Sequence, residues 1–209
     1  MNELLGSDYY DEEYFEGNTK SKYGGYDATK YATLKNHQAI QILKYTEYTS
    51  RWKPDNVLII GCAKGLLVRG MMAIGVYAEG IDISEYAIEE SKKYTTNCYV
   101  GNACDMSKYN DEHFEISVAM NVLENIPEPY LKEALDEMCR VTLRYIVITT
   151  PIGDDDEEHD KSKDENYWQT HFSVHTPGWW EKEFLNRGFV KRVEKSVENN
   201  NVFMILERI

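Results

Sequence analysis

The stretch Val57-Leu58-Ile59-Ile60-Gly61-Cys62-Ala63-Lys64-Gly65 constrains this chain more than any other. Its four consecutive apolar residues read as a strand buried on both faces. Gly61 and Gly65 then form a tight turn, where the backbone can come close to a ligand. After a helical gap, Ala78-Glu79-Gly80-Ile81-Asp82-Ile83-Ser84 reads as a second strand that ends in an acid. Asp82 follows Gly61 by 21 residues, against the roughly 20 that separate such a turn from an acid gripping a ribose diol. This order of strand, turn, helix, strand and acid is half of a nucleotide-binding fold.

Details of the turn separate the ligands it suits. A dinucleotide site needs G-x-G-x-x-G, whose third glycine permits close helix–strand packing beneath the pyrophosphate. Here the turn is Gly61-x-Ala63-x-Gly65, followed by Leu66. It suits a ligand without phosphate, such as S-adenosylmethionine. The competing readings are a dinucleotide site and a glycine turn that only joins strand to helix.

Strand and helix then alternate. Strands are expected at 57–60, 76–81, 97–100, 115–120 and 144–149, with helices at 65–73, 84–95, 129–141 and 177–187. Pro129 opens one helix, and Leu131, Ala134, Leu135 and Met138 mark its buried face. Thr176-Pro177 caps another and Gly188 ends it. The turn cluster Asn199-Asn200-Asn201 separates segments 190–198 and 202–207, which read as a closing β-hairpin. Repeated strand–helix units imply an α/β fold with a Rossmann-like, doubly wound, mostly parallel sheet, to which the hairpin adds an antiparallel strand. Upstream, residues 1–27 are rich in tyrosine, and a helical stretch runs from about 28 to 48. Residues 1–50 read as a lid segment and 51–209 as the main body of one structural domain.

The chain has 209 residues, enough for one domain with a sizeable core. No apolar run approaches the ~18 residues of a membrane span, and the first residues lack the pattern of a signal peptide. Cys62, Cys98, Cys104 and Cys139 show neither a C-x-x-C pair nor zinc spacing, so no metal is expected and a cytoplasmic, reducing setting is. A net charge of −13 argues against nucleic acid and for a small neutral or cationic acceptor. The sequence is compatible with a monomer or a homodimer.

These segments resemble the class I S-adenosylmethionine-dependent methyltransferases, of the small-molecule type with a G-x-G-x-G turn, over roughly residues 55–209. Val57–Gly65 is similar to that family's first motif and Ala78–Ser84 to its second. Gly101-Asn102-Ala103 is similar to its G-D-A segment. Phe114–Ile126 is similar to its F-D-x-V-x-x-x-x-V-L-E-H-I segment. Three positions depart from the pattern: Ile59 stands where the family carries an acid, Asn102 replaces an aspartate and Asn125 replaces a histidine. The resemblance implies a seven-stranded sheet and methyl transfer from S-adenosylmethionine, leaving S-adenosylhomocysteine. The acceptor it points to is a small molecule, such as a hydroxyl of a sugar or secondary metabolite. The alternative is a catalytically impaired member that binds a nucleoside or a protein partner.

On this resemblance Gly61, Cys62, Ala63 and Gly65 lie under the methionine part of the donor. Asp82 takes the ribose, Ile83, Asn102 and Ala103 flank the adenine, and Asn121 stands where sulfonium and acceptor meet. Lys64 is either a surface residue or a charge for the donor's carboxylate. His171 and His175, in the aromatic segment 167–180, are the candidate bases, with hydrogen-bonded structural histidines as the alternative. His37, His113 and His159 read as solvated. Tyr26 is expected to close over the donor, and Tyr23, Trp168 and Trp179 to contact the acceptor. The acidic run 154–160 reads as a solvated loop.

Overall fold

The computed structural model describes residues 6–17, 28–50, 53–153, 170–198 and 200–209. Seven strands form one sheet: β1 (Asn56–Ile60), β2 (Tyr77–Asp82), β3 (Cys98–Val100), β4 (Phe114–Met120), β5 (Thr142–Pro151), β6 (Phe189–Val197) and β7 (Asn201–Arg208). The helices are α1 (Glu12–Glu16), α2 (Ala28–Ser50), α3 (Leu66–Ala73), α4 (Glu85–Ser91), α5 (Glu128–Val141) and α6 (Pro177–Leu185). The expected strands and helices are all present. The largest difference is α4, which stops at Ser91 because the next amides reach back only three residues, Lys92 N–H to the Glu89 carbonyl and Lys93 N–H to that of Glu90.

The strand order is β3-β2-β1-β4-β5-β7-β6. β1 to β5 pair in parallel, and β7 runs antiparallel to both of its neighbours. The order reverses between β1 and β4, the switch point where an open α/β sheet leaves a crevice at its carboxyl edge.

Alternation along β1 shows how the sheet divides the core. Val57 and Ile59 face one side, with Ala39, Ile42 and Leu43 of α2 and Leu67, Val68 and Met71 of α3. Leu58 and Ile60 face the other, with Leu131, Leu135 and Met138 of α5 and Trp180 and Phe184 of α6. These four side chains are all buried, as a central parallel strand requires. Local caps agree with the sequence: Ser84 Oγ accepts the Ala87 N–H at 3.0 Å, and Thr176 Oγ1 accepts that of Trp179 at 3.3 Å. No helix among the described residues is long and apolar enough to cross a membrane.

Candidate active site

A cavity of about 620 Å³ opens at the carboxyl edge of the sheet. Its floor is Ile59 to Ala63, the end of β2 with Asp82 and Ile83, and Met120 to Val122 after β4. Segment 101–104 closes one side, and α1 with its preceding turn and one stripe of α2 cover the top. The tip of the β6–β7 hairpin supplies Val197, Glu198 and Asn201.

The floor is built from strained backbone held by one acid. Gly61 has φ +65°, and a Cβ there would lie 2.3 Å from Val122 Cγ2. Ala63 is also left-handed at φ 48°, a conformation that costs a non-glycine residue about 1–2 kcal/mol. Asp82 offsets this cost. One of its carboxylate oxygens accepts the Ala63 N–H at 2.8 Å and the other the Ser84 N–H at 2.9 Å. Burial raises the Asp82 pKa, and these backbone donors pull it back. A carboxylate has about four acceptor sites, so two bonds leave room for a diol. Opposite, Asn121 takes φ 57°, its N–H bonded to the Thr149 carbonyl at 2.8 Å. Asparagine tolerates this region, and such outliers cluster at functional sites.

Residues 58–144, which contain this turn, the acid and Asn121, match the family model described as "Methyltransferase domain". Over that stretch the chain is similar to a methyltransferase domain. A ubiquinone biosynthesis O-methyltransferase of Thiobacillus denitrificans is 23% identical, the match covering 46% of this chain and 56% of that protein. One from Coxiella burnetii is 29% identical, with 42% and 39% covered. The chain thus spans about half the length of these relatives or less. The crystal structure of magnesium protoporphyrin IX methyltransferase from Synechocystis PCC 6803 with bound S-adenosylmethionine has the same fold. Its TM-score is 0.68 at 13% identity, covering 100% of both chains.

Most of the expected contact residues of the methyltransferase domain meet in the cavity: Gly61, Cys62, Ala63, Asp82, Ile83, Asn102, Ala103 and Asn121 line it. Cys62 is buried there and its thiol is pushed well up by burial, as a packing residue's would be. Asn102 spends part of its acceptor capacity on its own turn, with Oδ1 taking the Cys104 N–H at 2.9 Å.

Gly65 is a correction, because it does not line the cavity. It caps α3 at φ 72°, and a Cβ there would lie 2.8 Å from Cys98 Sγ and 2.9 Å from Thr95 Cγ2. Its glycine serves packing beneath the turn. Lys64 is neither a surface residue nor free for a donor: it is buried and paired with Glu16 of α1. Glu16 also accepts the Tyr86 hydroxyl at 2.9 Å, while Phe15 stacks on the Tyr86 ring. These contacts fasten α1 over the glycine turn.

His171 and His175 do not line the described cavity. His175 Nε2 lies 2.6 Å from a Glu128 oxygen, and its ring stacks on Trp179 at 3.6 Å between centroids. Trp179 is therefore spent on that stack and is absent from the described wall. His171 Nδ1 is 3.2 Å from the Thr170 hydroxyl. The histidine that does line the cavity is His37 of α2, and it is exposed there, as the sequence suggested. Tyr23, Tyr26, Trp168 and the acidic run 154–160 lie outside the described residues.

The wall also holds residues that sequence reading missed: Lys35, Gln38 and Gln41 of α2, Thr149 of β5 and Glu198. For α2 a signal existed. Tyr31, Leu34, Lys35, Gln38 and Gln41 recur at three- and four-residue steps on one face, polar where a core-facing stripe is apolar.

Proposed function

We propose that the protein transfers a methyl group from S-adenosylmethionine to a hydroxyl of a small, polar molecule such as a sugar or secondary metabolite. The observation that carries this reading is the floor of the cavity, where the Gly61–Ala63 turn and the Asp82 carboxylate stand at the switch point of the sheet. The residues present fit an adenosyl ligand: Asp82 keeps acceptor sites for a ribose diol, and Ile83 with Ala103 offers apolar surface to a base. When bound, the donor supplies a methyl already activated on a sulfonium. The protein's part is to align the acceptor, exclude water and take a proton.

Hydrogen-bonding side chains stand on the wall beyond the donor floor, with Gln38, Gln41, Asn121, Asn125 and Asn201 among them. Gln38 Oε1 is buried and unpartnered among the described residues, an acceptor suited to a hydroxyl. That the relatives from Thiobacillus denitrificans and Coxiella burnetii are named O-methyltransferases supports a hydroxyl acceptor. His37 is the imidazole on the wall, and the geometry favours it over His171 and His175 as the base. α1 and the cavity-facing stripe of α2 act as a lid, and the setting is the cytoplasm.

The test is calorimetric titration with S-adenosylmethionine, S-adenosylhomocysteine and NAD, followed by turnover assays on sugars and phenols. Micromolar binding of the first two and none of NAD is the expected result. Binding without turnover of any acceptor would favour the impaired, ligand-binding reading, for which Ile59 on the cavity floor speaks. No binding would overturn the proposal.

A further inference from the structure

The amino-acid end of a methionine-derived donor carries an ammonium and a carboxylate, and the cavity is unequal toward them. In the related family an acid two residues before the first glycine meets the ammonium. Here that position is Ile59, a buried aliphatic residue on the floor. Asp82 turns both oxygens to backbone N–H groups. Glu198 follows β6 at the hairpin tip, and the neighbouring strand β7 is three strands from β1 in the sheet order. At ~4.8 Å per strand that is roughly 14 Å from the glycine turn.

A cation, by contrast, is at hand. Lys35 lines the cavity from α2. The Lys35 backbone lies against α3, the helix that leaves the glycine turn, for a Cβ on Gly70 would come within 3.3 Å of the Lys35 carbonyl oxygen. This sets the Lys35 backbone beside that helix. Its pKa is pushed down to about 8, with burial as the one cause and no carboxylate acting on it. A half-buried lysine with no partner among the described residues is costly, since its charged form loses hydration and gains little in return. The other lysine near the turn, Lys64, is already paired with Glu16.

We propose that the protein holds the donor's amino-acid end by its carboxylate, through Lys35, and not by its ammonium. This rests on the methyl-donor reading above and adds a specificity to it. The site should discriminate among adenosyl thioethers by the carboxylate they carry.

The experiment is calorimetric titration of the full chain with three probes. These are S-adenosylhomocysteine, its decarboxylated analogue that keeps the amine, and 5′-methylthioadenosine, which lacks both groups. The expected result is that S-adenosylhomocysteine binds about ten- to a hundredfold more tightly than the decarboxylated analogue, the range of a charge-assisted hydrogen bond. The decarboxylated analogue should bind no better than methylthioadenosine. Lys35→Met should erase the advantage of S-adenosylhomocysteine while leaving methylthioadenosine binding as it was, which also reports an intact fold. Lys35→Arg should restore most of it. Equal binding of S-adenosylhomocysteine by the native chain and Lys35→Met would overturn the assignment, as would a decarboxylated analogue that rivals S-adenosylhomocysteine. If none of the three probes binds the native chain, the methyl-donor reading itself fails and this assignment falls with it.

Discussion

Replacing Glu124 by glutamine should stabilise the protein at neutral pH, by an amount that grows with pH. Glu124 lies in the 3-10 turn Leu123–Asn125 after β4 and is fully buried. Neither carboxyl oxygen has a hydrogen-bond partner among the described residues. Its backbone carbonyl is engaged, accepting the Phe172 N–H at 2.7 Å and the Ser173 N–H at 3.0 Å. Burial raises its pKa from 4.5 to about 8. The folded state therefore holds a proton that the unfolded chain releases above pH 4.5, and stability is lost as pH rises from the lower value to the higher. Each pH unit in that window costs about 1.4 kcal/mol, hence about 3 kcal/mol at pH 7 and about 5 kcal/mol above pH 8. Glutamine is neutral throughout and nearly isosteric, and the Thr150 side chain stands beside it. Urea unfolding of both proteins at pH 5, 7 and 8.5 checks this. The curves should nearly coincide at pH 5 and separate in favour of Glu124→Gln with rising pH, with Tm higher by roughly 6–12 °C at pH 7. Parallel pH dependence in the two proteins, or a less stable variant at pH 8.5, would refute the reasoning.

Gly61→Ala places a Cβ 2.3 Å from Val122 Cγ2 at φ +65°; it should cost about 2–4 kcal/mol of stability together with donor affinity, and a variant with native Tm and native S-adenosylhomocysteine binding would show that the turn is less tightly packed. Asp82→Ala removes the acceptor for two backbone N–H groups and for the ribose, so donor affinity should fall at least about a hundredfold by calorimetry; retained affinity would refute the ribose assignment. Once an acceptor is in hand, His37→Ala should lower kcat about a hundredfold or more with donor affinity intact. His175→Ala should instead lower Tm, by losing Glu128 and the Trp179 stack, and leave kcat unchanged. The opposite pattern would return the base to the segment after β5.

Much of this was legible in the chain because it depends on near neighbours. The apolar run Val57–Ile60 can only be a buried strand, Pro129 and Thr176-Pro177 start helices by fixing local geometry, and the interval from Gly61 to Asp82 is one strand–helix–strand unit long. These rules need no knowledge of what lies across the sheet, so the sheet and the floor of the site follow from them. The partners of charged side chains do not. Lys64 meets Glu16 from 48 residues away and His175 meets Glu128 from 47 away. Which lysine by the turn is paired, and which histidine lines the cavity, was decided only when α1 and α2 folded back over the carboxyl edge of the sheet. Electrostatic pairing and burial act through space. The sequence by itself determined the fold and the floor of the cavity, and tertiary contact alone chose the side chains that surround whatever binds there.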